Sequence, residues 1–163
     1  MKHTKVLDSL RHRLEKDANV VALLVFGSVA HGTHHEKSDI DLFVIYSNYP
    51  SGYSFSTDII YGIKVGFSRF SEERLRWNLE KFPYRSYLFA HATLLFDKDQ
   101  ITILQRKALT YLRAHPAVQK EWEKYLLLYE KEKQKYGAGR TSIFDVHHKL
   151  DKKFAKKSTL SHP

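Results

Sequence analysis

Residues 4–17 set Val6, Leu10 and Leu14 four apart among charged neighbours, the period of an amphipathic helix. The pattern then changes. "VVALLVF" at 20–26 is continuously apolar, as a strand covered on both faces would be, and it stops at Gly27-Ser28. "SDIDLFVIY" at 38–46 predicts a second buried strand, entered through acids. After a loop holding Pro50 and Gly52, "FSTDIIY" and "IKVGFSRF" flank Tyr61-Gly62 and predict a hairpin. "SEERLRWNLEKF" predicts a helix with Ser71 as N-cap, Glu72 and Glu73 in its first turn, and Pro83 as its stop.

"HATLLFD" at 91–97 predicts one more strand and "ITILQRKALTYLRAH" at 101–115 a helix. A long helix follows at 118–137, closed by Gly137, and "RTSIFDVHHKLDKKF" predicts another. The order is helix, four strands with one short helix among them, helix, strand, then helices. That is an α/β (α+β) architecture, a small mixed β-sheet flanked by helices. Residues 1–100 form the expected sheet domain, 101–156 a C-terminal helical segment and 157–163 a tail.

The entry to the second strand breaks the apolar pattern. Asp39 and Asp41 alternate with Ile40, so both point to one face while Ile40 and Leu42 point to the other. Their Cα atoms lie roughly 6.5–7 Å apart. Two carboxylates at that spacing suit a divalent cation, which relieves their mutual repulsion. Acids at a strand end also occur simply because they are solvated. The residues just upstream favour the first reading. Gly27 lets backbone approach a ligand, and Ser28 brings a hydroxyl and an N–H to what reads as the start of a short helix, a favourable place for phosphate.

Charge and composition sharpen this only a little. The net charge of +9 favours an anionic partner. No aromatic-basic motif singles out nucleic acid. There is no cysteine, which excludes disulfides and thiolate metal sites and fits a cytoplasmic protein. The N-terminal stretch is charged throughout, unlike a signal peptide, and no apolar run suits a membrane span. A homodimer is compatible with all of this.

The stretch "FGSVAHGTHHEKSDIDLFV" resembles the nucleotidyltransferase signature of the DNA polymerase beta superfamily, in its small, antibiotic-modifying bacterial form. The shared elements are Gly-Ser, a glycine four residues on, then Ser-Asp-x-Asp and an apolar strand. The resemblance implies the nucleotidyltransferase fold and transfer of a nucleoside monophosphate, AMP from ATP in the first instance, to a hydroxyl on a small molecule or protein. It implies Gly27 and Ser28 at the nucleotide phosphates, with Ser38 capping or orienting the acids. Asp39 and Asp41 would be the catalytic residues that bind Mg²⁺ or Mn²⁺.

The family also carries a third carboxylate on a later strand, and here that slot falls on Gly66. The nearby Asp58 is expected opposite Val65, on the other face. Lys64 shares the face of Gly66. The gap raises a second reading, a nucleotide-binding regulator, antitoxin-like, that transfers nothing. His31, His34 and His35 read as loop residues. Trp77, Trp122, Tyr125 and Tyr129 read as core or helix-packing residues. Arg140 and His147 have the spacing seen in HEPN ribonucleases, too loose a match to carry a function.

Overall fold

The computed structural model of the chain describes residues 2–136 and 142–155. Gly137, Arg140 and the tail at 157–163 lie outside the described residues.

A five-stranded mixed sheet is the frame. Its strands are β1 (Val20–Phe26), β2 (Ile40–Tyr46), β3 (Tyr53–Ile60), β4 (Ile63–Ser71) and β5 (Thr93–Asp97), in the spatial order β3-β4-β2-β1-β5. β2 and β4 are parallel; the remaining neighbours are antiparallel. The turn between β3 and β4 has Tyr61 at φ 50° and Gly62 at φ 79°. That left-handed pair matches the twist of a two-residue hairpin. It also fixes the register, in which Asp58 faces Val65 and Thr57 faces Gly66.

Alternation along β1 and β2 divides the core between the two faces. Leu23, Val25, Leu42 and Val44 pack with Val6 and Leu10 of α1 (Lys2–Glu15). Ala22, Leu24, Phe43 and Ile45 pack on the opposite side. There they meet α2 (Glu72–Lys81), α3 (Tyr87–Ala90), α4 (Ile101–Ala114), α5 (Pro116–Tyr136) and α6 (Ile143–Leu150), which runs on into a π-helical turn at Asp151–Ala155. Trp122 of α5 is fully buried, and its indole N–H donates to the Tyr84 carbonyl at 2.6 Å. Asp41 has the parity of Phe43 and Ile45, so the acid belongs to the multi-helix face.

Three local expectations hold as chemistry. The Ser71 hydroxyl accepts from the Arg74 N–H at 3.0 Å and starts α2. Pro83 ends it, and α1 forms over the charged N-terminal stretch. Three others need correction. The short helix expected after Ser28 is a set of hydrogen-bonded turns, because Gly32 takes φ +68° and closes the coil after one turn. Residues 84–90, to which the sequence pattern assigns no element, belong to a 3₁₀ turn at Pro83–Arg85 and the four-residue α3. Trp77 is not core: it is 45% exposed, with the Arg74 guanidinium 4.7 Å over its ring.

Candidate active site

The site forms where β1 ends and β2 begins. In the antiparallel ladder Phe26 lies opposite Asp41, so the Gly27-Ser28 corner arrives beside that acid. On the other side β4 runs parallel to β2 and sets Gly66 opposite Asp41. A Cβ on Gly27 would stand 3.1 Å from Asp41 Oδ2, and one on Gly66 would stand 3.1 Å from Asp41 Oδ1. The carboxylate therefore lies between two backbones that approach it only because neither carries a side chain. Gly27 also has φ +74°, a conformation costly for other residues.

The corner itself is a compact turn. The His31 N–H donates to the Gly27 carbonyl at 3.3 Å, Gly32 to Val29 at 3.3 Å and Thr33 to Ser28 at 3.0 Å. The N–H groups of Ser28, Val29 and Ala30 are left out of the turn's own hydrogen bonds. Successive backbone N–H groups of this kind make an anion-binding concavity.

Burial first, and the neighbouring Asp39 second, push the Asp41 carboxyl up to about 6; Lys133 and Lys64 pull the other way. Lys64 Nζ sits 3.7 Å from Asp39 Oδ2. Two crowded acids, one desolvated and one held by a lysine, form a donor set suited to a divalent cation, with the remaining ligands coming from water or phosphate oxygens. Among the described residues no group of three His, Cys, Asp or Glu side chains comes together to hold a metal. Asp58 stands apart from the pair, since its register puts it on the opposite face.

Ser38 is buried and committed to the loop. Its hydroxyl accepts from the His35 N–H at 2.9 Å, and its carbonyl bonds the ring of His3 at 2.8 Å. His3, on α1, belongs to no local sequence motif. It ties the first helix to the residue just before Asp39, and its ring lies 4.8 Å from that of His34. His31 and His35 are exposed.

Tyr129 also lies closer to the chemistry than its helical spacing implied. Burial raises its pKa most, and Asp41 and Asp39 raise it further, so α5 passes near the acids. Lys133, one turn on along α5, acts on Asp41. No local pattern could have revealed either influence, because both depend on how α5 crosses the sheet.

Residues 8–101, more than half of the chain, match the family described as polymerase beta, nucleotidyltransferase. The mixed sheet with an acid pair beside a Gly-Ser corner agrees with that match, and the chain belongs to this family. A nucleotidyltransferase-like protein from Exiguobacterium sibiricum 255-15 has a similar fold, with a TM-score of 0.50 and 13% identity. The similarity covers 64% of this chain and 37% of that one, so this chain corresponds to little more than a third of the other. No curated protein matches the chain. Among the described residues, no helix is long and apolar enough to cross a membrane.

Proposed function

We propose that the protein transfers a nucleoside monophosphate, AMP from ATP, to an acceptor hydroxyl, using Asp39 and Asp41 to hold Mg²⁺ or Mn²⁺. One observation carries this reading: the Asp41 carboxylate is set between the phosphate-side glycine and the position-66 glycine, 3.1 Å from a Cβ on either.

Gly27 gives the triphosphate close access to backbone, and Ser28 with the adjacent N–H groups binds its oxygens. Lys64 adds positive charge beside Asp39. The divalent ion, when bound, neutralises the crowded acids and the charge that develops on the leaving pyrophosphate. Position 66 offers no carboxylate to accept the hydroxyl proton, which passes to solvent. Loss of a positioned base typically slows a reaction by about 10²–10⁴-fold, so turnover is slow. The acceptor hydroxyl lies in line with the bond that breaks.

Incubation with α-labelled ATP, Mg²⁺ and a panel of hydroxyl compounds tests the proposal. Acceptor-dependent pyrophosphate release that disappears in Asp41→Ala supports it. Gly66 favours one alternative, a nucleotide-binding regulator, and that reading predicts ATP binding with no pyrophosphate release under any acceptor.

A further inference from the structure

The sheet face that carries Asp41 also carries a cavity of about 480 Å³. Phe43, Ser68 and Phe70 line it from the sheet, and Leu79, Phe82 and Phe144 from the helices. That volume suits one small organic molecule. The cavity begins one same-face rung beyond the acid: Asp41 pairs with Gly66, and Phe43 pairs with Ser68. Two residues along a strand is about 7 Å.

Position and charge both limit what can occupy it. Phe26, the residue before the Gly27 corner, and Phe43, the next same-face residue after Asp41, both line the cavity, so corner and cavity adjoin the same carboxylate. A hydroxyl must attack phosphorus from the side opposite the departing pyrophosphate. A cavity that adjoins the acid is near enough to present a hydroxyl there.

Among the described residues, the wall's one acid is already engaged. Asp151 accepts from Arg85 through both Nε, at 2.9 Å, and a terminal nitrogen, and from the Tyr84 hydroxyl at 2.8 Å. Burial, then the Arg85 charge, hold the pKa of His147 down to about 4, so its ring is neutral at physiological pH. Arg74, at the rim, leaves the local balance positive. An ammonium entering here would lose its water without gaining an unpaired carboxylate. A ligand instead finds aromatic faces, the Asn78 amide, and the Ser68 and Tyr53 hydroxyls.

Resting on the nucleotidyl-transfer reading above, we propose that this cavity is the acceptor site. Its occupant is a hydroxyl compound with a flat, apolar aromatic body, neutral or singly anionic, and not a polycation.

The test uses the full chain and 1-anilinonaphthalene-8-sulfonate, an aromatic monoanion that fluoresces when bound. Saturable one-to-one binding is expected. It weakens about tenfold or more in Asn78→Trp, which fills the cavity, and severalfold in Phe144→Ser, an exposed wall position whose change does not threaten folding. Saturating Mn²⁺ and ATP leave the dye's affinity unchanged, because nucleotide and acceptor sites coexist. Competitive displacement by ATP would overturn the proposal, making the cavity the nucleotide's own. So would dye binding indifferent to both variants, or AMP label appearing on a tetracationic aminoglycoside. ATP binding followed separately by calorimetry keeps the two readings apart. Its absence removes the transfer reading and the acceptor role together, while the dye still reports on the cavity.

Discussion

Asp41 and Gly66 face each other across the parallel β2–β4 ladder, and a methyl group on Gly66 would stand 3.1 Å from Asp41 Oδ1 and 3.4 Å from the Phe55 ring. The space at position 66 is therefore tight. Gly66→Asp should crowd a third charge against the pair and, in EDTA, cost about 2 kcal/mol, a fall of roughly 4–8 °C in Tm for a chain of this size. Millimolar Mn²⁺ should recover more of that loss than it adds to the wild type. A Tm shift from Mn²⁺ no larger than in the wild type would place the new carboxylate out of reach of the metal.

Asp41→Asn should stabilise the metal-free protein at neutral pH. The folded chain holds the Asp41 proton up to about 6, against an ordinary 3.8, so folding favours the protonated form. Stability is therefore fully present below about pH 4 and is lost as the pH rises through 6. The loss amounts to at most about 3 kcal/mol, and the amide, which carries no charge, avoids it. Tm measured in EDTA across pH should show a gain for the variant at neutral pH that vanishes below about pH 4.

Gly27→Ala should damage fold and binding together. The left-handed φ of +74° costs an alanine about 1–2 kcal/mol. Its methyl also pushes on Asp41 Oδ2. Urea unfolding should register the first effect, and calorimetric titration with ATP and Mn²⁺ should show loss of binding from the second.

Lys64→Met should free Asp39 for metal. The ion pair is long, at 3.7 Å, and the lysine side chain is 47% exposed, so its contribution is small. Mn²⁺ affinity is expected to rise about twofold to fivefold at low salt, the equivalent of at most ~1 kcal/mol, and the gain should shrink as salt is added.

Removing His3 should loosen the approach to the acids. His3→Ala leaves the buried Ser38 carbonyl without its partner on α1, a loss of about 1–3 kcal/mol. Amide exchange at Ser38 and Asp39 should quicken relative to the β1 and β4 amides; uniform quickening would mean only general destabilisation.

Much of the frame was legible because its determinants are local. The Tyr61-Gly62 hairpin, the Ser71 cap and the alternation of Asp39 with Ile40 each lie within a few residues of sequence. The register that turns Asp58 away from the site followed from that hairpin alone. What was not legible depends on distance or brevity. Residues 83–90 are too short and aromatic to show a period, so α3 gives no signal in the sequence. Gly32 cut the helix expected after Ser28, where propensity alone would let it continue. Trp77 sits at a helical spacing that predicts burial, yet it lies on the outer side of α2 beneath Arg74. His3 bonds the residue before Asp39, and Tyr129 and Lys133 act electrostatically near Asp41, from opposite ends of the chain, across distances that no window of sequence contains.

The grip of Arg85 and Tyr84 on Asp151 joins the peptide just after α2 to the last turn of the chain's described part. It acts as a buckle across one wall of the cavity, with both ends anchored in elements that also pack in the core. A molecule entering there meets a frame with little freedom to widen. Selection would then rest on shape at the threshold, and chemical variation among accepted compounds would concentrate on whatever part of them protrudes toward solvent.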